Sequence, residues 1–292
     1  MSKSLLACVI DRTESAFVRI KTPGIGGACV ITASGTVPYG GEYLEGKHRQ
    51  RALKKLVSLT GKHRGEDLAL CYCPDAYLPL KAYFPRGASG AARTDYCRIE
   101  ASHFLHRPEE YLHDHVPCAN ASEADGLEKN LILFYRAEPL VTLSAGFAQN
   151  HPLHFCGSPL LPMVFRSRSE EVAAYLDLDN ARITLTVARN GQAEYFNCRS
   201  VKNRKEAEYF AIHELRNSMA CTGCGVRVGG FLADRAMTRL LEQETSCRIV
   251  PPGIPEAIGI TAKNISSRIT AAASKAIETA LMALEHGQPL SS

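Results

Sequence analysis

The sequence predicts a mixed α/β protein made of two related lobes with a cleft between them. Three observations predict it. Short β-rich runs alternate with helix-length amphipathic stretches along the whole chain. One pattern, a hairpin followed by a third strand, a helix and a further strand, starts at Leu5 and again at Tyr175. The opening of each copy carries an aspartate, Asp11 in the first and Asp177 in the second, so the two carboxylates are expected to look into the gap from opposite walls.

Each element has its own local reason. Residues 5–11 and 16–20 are β-rich runs around the polar turn Arg12-Thr13-Glu14-Ser15, a hairpin signature, and residues 28–32 supply a third strand after the glycine-rich turn at 23–27. Residues 47–60 space Leu53, Leu56, Val57 and Thr60 on one face of a basic helix. Residues 67–73 read as a buried strand closed by Pro74-Asp75, and residues 77–84 alternate apolar and polar until Pro85. A helix is expected over 91–105 with Tyr96, Ile99 and Phe104 inward, then a polar loop at 119–125, a strand at 131–135 and helices at 140–147 and 159–165. Residues 166–171 are charged and poor in apolar side chains, which marks them as the boundary between lobes. Beyond it come strands at 175–179 and 183–188, the hairpin dipeptide Asn190-Gly191, and a return strand at 193–198. A helix at 204–220, a strand at 226–228, a helix at 234–245, a strand at 248–250 and an alanine-rich helix at 270–285 complete the chain.

Composition narrows the class. A chain of 292 residues holds two lobes with their own cores but is short for three independent domains. Hydrophobic residues at 45% and charged ones at 22% exclude extensive disorder. A net charge of +4 would need clustering to mark a nucleic-acid binder. The two basic groups, around Arg49 to Lys55 and Arg199 to Lys205, read as solvated surface. No apolar run approaches the ~20 residues that span a bilayer. The apolar opening is cut short by Asp11, Arg12 and Glu14, so it reads as a strand rather than an export signal, and a cytosolic protein is expected. Eleven cysteines, an odd number set mostly in strand-like runs, are expected to be reduced core thiols.

Several segments carry a family resemblance. Between Tyr175 and Gly191, Asp177, Thr184 and Asn190-Gly191 follow one another along a strand, turn and strand. Val9 to Ser15 holds Asp11 in a similar turn, and Val226 to Ala233 enters the Gly229-Gly230 turn before a helix. Residues 68–85, residues 96–116 with Glu100, Pro108, Glu109 and Glu110, and the closing segment at 251–259 add to the pattern. In this order the chain resembles the actin-like ATPase superfamily, a two-lobed ribonuclease H-like fold with duplicated mixed sheets flanked by helices. Within it the nearest likeness is to type IV pilus assembly proteins of the PilM type. FtsA and the cytoplasmic domain of the type II secretion platform protein look like more distant relatives.

The resemblance implies a first lobe at 1–168, with a family-specific subdomain at about 68–150. It implies a second lobe at 169–292 whose C-terminal helix packs back toward the first. It also implies a nucleotide cleft lined by Asp11, Arg12, Thr13, Asp177, Asp179, Asn180, Thr184, Gly229 and Gly230. There Asp177 would hold a metal-bound water, Thr184 and the turn amides the phosphates of ATP/Mg, and Gly229-Gly230 the adenosine. Two positions depart from the pattern: Arg12 falls near the glycine of the first turn, and Asp179 stands in place of the glycine of the second. A phosphate turn brings backbone amides onto phosphate oxygens through angles that glycine adopts cheaply, so side chains there obstruct the approach. Asp179 adds a repelling charge. ATP/Mg binding is therefore expected to be weak or absent, with no catalytic residue, in a degenerate ATPase rather than an enzyme.

The function implied is a cytoplasmic platform of a pilus or secretion apparatus, peripheral to the inner membrane. Its partner would be an inner-membrane assembly protein, held through that protein's short cytoplasmic peptide near residues 68–116; neither a nucleic acid nor a membrane span is expected. One alternative is an active ATPase or small-molecule kinase of the same superfamily, which needs an in-cleft carboxylate base. Another is a metal protein built on Cys221 and Cys224 with His113, His115 and Cys118, or with His103 and His106. A second pair of cysteines at this spacing is lacking, so the CxxC reads as a helix end turning at Gly223 and Gly225, and no metal is expected. His151, His154 and Cys156 read as a loop feeding a strand. Gly24 to Gly27 precedes a strand rather than opening a helix, which is wrong for a dinucleotide loop and right for a hairpin turn.

Overall fold

The computed structural model describes residues 3–22, 28–44, 47–119, 126–254, 261–262 and 269–286. The first strand, β1 (Lys3–Ile10), pairs antiparallel with β2 (Ser15–Thr22), and β2 antiparallel with β3 (Val30–Val37). On its other side β1 runs parallel to β4 (Leu68–Tyr72), and β4 parallel to β8 (Leu153–Gly157). The second half repeats the plan. A meander of β9 (Val172–Leu178), β10 (Arg182–Arg189) and β11 (Gln192–Ser200) is extended in parallel by β12 (Gly225–Gly229) and β13 (Arg248–Val250). Both sheets thus run third, second, first, fourth, fifth across, with the same strand directions, and β14 (Thr261–Ala262) adds to the first beyond β3.

The central strands explain their own apolar runs. Leu6, Cys8 and Ile10 enter one core while Leu5, Ala7 and Val9 enter another, and all six are 0% exposed. A strand covered on both faces needs no polar alternation. One cover is made by α1 (Arg49–Ser58) and α3 (Ala137–Ala148), which contribute Leu56, Leu140, Leu143 and Phe147. The other is α7 (Ala271–His286), which lays Ala276, Ile277, Ala280 and Leu281 against Leu5, Ala7, Val9 and Val18. The second sheet is covered on one face by α5 (Arg204–Asn217) and α6 (Arg235–Glu244). Against its other face runs α4 (Leu160–Glu170), which places Met163 beside Ala173 and Tyr175.

A small antiparallel sheet of β5 (Leu78–Pro85), β7 (Leu127–Arg136) and β6 (Tyr111–Pro117), in that order, is inserted between β4 and β8. Along β7, Leu131, Leu133 and Tyr135 turn into the first core while Ile132 and Phe134 turn toward α2 (Gly90–Phe104). The α2 helix begins where Ser89 Oγ accepts from the Ala92 amide at 3.2 Å, an N-cap.

Four expectations need correction. The inward face of α2 is Cys97 and Ala101, whereas Ile99 and Phe104 are 51% and 64% exposed. These two small side chains, one turn apart, let the helix lie close on Phe84, Ile132 and Phe134. The helix expected at 159–165 runs on to Glu170 through the charged segment, where Arg166 is buried and paired with Glu170 at 2.8 Å. The third strand runs on to Val37, and the helix after Asn203 stops at Asn217. Neither β6 nor β14 was foreseen. The turn at 23–27, the loop at 120–125 and residues 255–260 lie outside the described residues. Among the described residues no helix is long and apolar enough to cross a membrane.

Candidate functional site

The two meanders turn in the same way. In the first, the Asp11 amide donates to the Glu14 carbonyl at 3.0 Å and Ile10 faces Ser15. In the second, the Asp179 amide donates to the Arg182 carbonyl at 2.9 Å and Leu178 faces Ile183. Register makes Asp179 the counterpart of Asp11, Asn180 that of Arg12, and Arg182 that of Glu14. Asp177 stands two residues earlier, on β9 between Thr184 and Gly229.

What lies between the turns is a lysine. Lys275 of α7, itself buried, places Nζ 2.7 Å from Asp11 Oδ2 and 2.9 Å from Asp177 Oδ1. Burial works against the charge on Lys275, but the Asp11 and Asp177 carboxylates outweigh it and hold the ammonium well above its usual range. Burial likewise pushes Asp11 up, and Lys275 more than reverses that, leaving the carboxyl below its ordinary value. The Asp11 side chain also accepts from the Arg12 amide at 3.0 Å.

Other groups close the same space. Arg12 Nε donates to Asn180 Oδ1 across the cleft at 3.2 Å, joining equivalent positions of the two turns, and its guanidinium also pairs with Asp75. Glu14 Oε1 accepts from the Ala272 amide at 3.2 Å, so a carboxylate of this chain already occupies the N-terminus of α7. Asp179 is 2% exposed; burial first, and then the neighbouring Asp11, push its carboxyl up to about 7. Arg182 lies over the Tyr77 ring at 5.3 Å, 3.9 Å from Asp179, and among the described residues its Nε and Nη1 have no hydrogen-bond partner.

The remaining expected residues fall as follows. Thr13 is half-buried in the first turn. Thr184 points its hydroxyl to Cys198 Sγ at 3.4 Å and borders a cavity of about 10 Å³ shared with Asp177, Arg182, Thr186 and Tyr77. That volume holds about one water. Gly229 sits against α7: a Cβ there would stand 2.7 Å from Ala271 Cβ. Gly230 has φ +96°, and a Cβ there would meet the Leu178 carbonyl oxygen at 2.6 Å. The structure therefore brings Asp11, Arg12, Asp177, Asp179, Asn180 and Thr184 together, and it turns the two glycines toward α7 and the backbone of Leu178.

Sequence reasoning missed Lys275, Arg182 and Glu14. A signal for Lys275 was present, because the last helix is apolar on nearly every face. Such a helix is buried, and any charge on it needs partners. Its other charge behaves alike: Glu278 accepts from Tyr175 Oη at 3.0 Å and pairs with Arg166. As for the Cys/His groups, both nitrogens of His151 are engaged, by Thr60 Oγ1 at 2.9 Å and the Glu66 carbonyl at 3.1 Å. Cys224 Sγ contacts the Cys221 carbonyl at 3.3 Å, at the turn where Gly223 has φ +78°.

No family model matches the sequence, and no curated protein matches it. Solved structures do. A structure described as the PilM-PilN type IV pilus biogenesis complex superposes with a TM-score of 0.67 at 15% identity, covering 98% of this chain and 99% of that one. A Bacteroides thetaiotaomicron protein with an actin-like ATPase fold and unknown function gives 0.48 at 9% identity, covering 85% and 90%. The cytoplasmic domain of EpsL, an inner-membrane component of the type II secretion system of Vibrio cholerae, gives 0.43 at 12% identity, covering 83% and 94%. The chain thus has the two-lobed actin-like ATPase fold. Within that fold it resembles PilM over nearly its whole length.

Proposed function

We propose that this protein is a cytoplasmic scaffold of a type IV pilus or type II secretion-like assembly, whose interlobe cleft is held shut by its own ions instead of by nucleotide. The observation that carries the reading is Lys275 Nζ between Asp11 and Asp177, at 2.7 and 2.9 Å. A nucleotide cleft of this architecture needs acidic side chains free for Mg²⁺ and amides free for phosphate. Here one ammonium engages two of the carboxylates, and the amides of Asp11 and Asp179 are spent inside their turns. Asp11, Arg12, Thr13, Asp177, Asp179, Asn180, Thr184, Gly229 and Gly230 are then the remnant of a nucleotide site, with weak or lost affinity for ATP/Mg. The lobes divide at about Arg168, and α7 joins them.

The likeness to a PilM-PilN complex supports a partner of the same kind: an inner-membrane assembly protein offering a short cytoplasmic peptide near residues 68–116. The test has two arms. Isothermal titration with Mg-ATP should give no heat, and micromolar binding with phosphate release would reject the scaffold reading. Two-hybrid pairing against the cytoplasmic tails of membrane proteins encoded beside this chain should single out one of them. No pairing with any tail would remove the assembly role.

A further inference from the structure

Three donor side chains meet under α2, outside the charge-filled cleft. Cys97 Sγ and one ring nitrogen each of His113 and His115 all lie within 4.8 Å of one another. The reason is local. His113 and His115 are two residues apart on β6 and so share the face of the small sheet that α2 covers, opposite Phe134 and Ile132 of β7. Cys97 is on the inward face of α2, directly over them. Asp114, between the histidines, points the other way and accepts from the Ser158 amide at 2.7 Å.

We propose that Cys97, His113 and His115 form a zinc site that pins α2 to the small sheet. One thiolate and two imidazoles are a donor set suited to Zn²⁺, a borderline-soft cation that takes nitrogen and sulfur in a tetrahedron. With zinc–ligand distances near 2.0–2.3 Å, neighbouring donors in a tetrahedron stand about 3.5 Å apart. Closing from at most 4.8 Å to that spacing takes side-chain movements of about an ångström or less. The imidazoles are available for it. Each makes an edge contact with a phenylalanine, His113 with Phe134 at 6.2 Å and His115 with Phe84 at 6.0 Å, and neither has a hydrogen-bond partner among the described residues. His151, by contrast, uses both its nitrogens. The cations nearby are already paired, Arg93 with Glu128 at 2.8 Å and Arg98 with Asp95 at 3.3 Å, so they do not oppose a divalent ion with free charge. Three protein donors leave a fourth position for water or for a side chain of a docked partner.

The experiment uses the full chain, stripped with a chelator and titrated with Zn²⁺ against a chromogenic competitor, then with Co²⁺ as a spectroscopic stand-in. One equivalent of zinc, a raised Tm and an ultraviolet thiolate-to-cobalt band are expected. The band should vanish in Cys97→Ser, zinc affinity should fall at least tenfold in His113→Gln and in His115→Gln, and Cys224→Ser should behave as the unaltered protein. Circular dichroism of each metal-free variant separates a lost ligand from a lost fold. Absence of stoichiometric zinc, or a cobalt band that survives Cys97→Ser or disappears in Cys224→Ser, overturns the assignment. None of these readouts depends on ATP or on a membrane partner, so the site stands or falls apart from the scaffold reading.

Discussion

Asp11 and Asp179 hold the same place in two turns of the same backbone geometry, yet their carboxyls are driven in opposite directions. Asp11 has an ammonium 2.7 Å away and is held below its ordinary pKa. Asp179 has its nearest cation, Arg182, at 3.9 Å, and burial first, then the carboxylates of Asp11 and Asp177, push it up to about 7 against Arg182 and the more distant Lys275. Duplication of a fold fixes where side chains sit, and the third element placed between the copies decides what they become. Here that element is α7, which brings its cation to the first turn and the neighbouring Asp177, leaving Asp179 on the margin.

The strongest way to break this contrast is to remove the cation. Lys275→Met keeps most of the side-chain volume but leaves the buried Asp11 and the partly buried Asp177 without it. Stripping one partner from a buried ion network costs roughly 3–5 kcal/mol, which urea unfolding at pH 7.5 would read directly. Adding Asp11→Asn and Asp177→Asn should recover most of the loss, since no uncompensated charge then remains. A single variant as stable as the unaltered protein would mean that Lys275 does not carry the cleft.

The next largest effect sharpens the contrast through pH. A carboxyl whose folded pKa is raised keeps its proton longer in the native state, so stability falls as pH rises from the ordinary aspartate value of 3.8 through about 7. Asp11 acts with the opposite sign: its depressed pKa contributes stability above the unfolded value, lost only on acidification below 3.8. The two windows do not overlap. Asp179→Asn should therefore flatten the decline between pH 4 and 7 and gain on the order of 2 kcal/mol at pH 8, while leaving the acid limb intact. Equal slopes for variant and unaltered protein across that range would show that Asp179 ionises normally.

The same contrast explains what could be read in advance. Continuous apolar runs such as Leu5 to Ile10 and the Asn190-Gly191 turn, with φ of 49° and 79°, announce themselves because the local signal and the fold agree. The three aspartates, Asp11, Asp177 and Asp179, were legible for the same reason, each standing at or beside a strand end before a polar turn, whereas Glu14 was not. Arg182 and Lys275 were not, since what makes them site residues is an element arriving from far along the chain. The α2 face was misread because large apolar residues usually mark the inside. Here Phe84, Ile132 and Phe134 already fill that side, and the close approach selects Cys97 and Ala101. The β6 strand carries two histidines and an aspartate in seven residues, too polar a run to declare a buried strand.

A smaller effect tests how α7 reaches the second turn. Gly229→Ala would drive a methyl to 2.7 Å from Ala271 Cβ, an overpacking that costs about 1–3 kcal/mol. The paired change Gly229→Ala with Ala271→Gly removes the opposing methyl and should restore much of the loss of Tm, apart from the intrinsic cost of a glycine in the first turn of the helix. If Gly229 only faced an empty adenosine site, the single change would be silent and the second would add nothing.

The smallest effect concerns the one hydrogen bond that joins the turns directly. Asn180→Ala removes the acceptor of Arg12 Nε, but Arg12 keeps Asp75, and the side chains of that pair are 21% and 34% exposed. Water replaces the lost contact at such a position, so unfolding free energy should change by about 0.5 kcal/mol or less. Amide exchange gives the finer reading. If Lys275 holds the lobes together, the Asp11 and Asp179 amides keep their protection in Asn180→Ala and lose it in Lys275→Met. Loss of protection in both variants would make the Arg12–Asn180 contact an equal partner in closing the cleft, and the two turns would then be held by their own symmetry as much as by the helix between them.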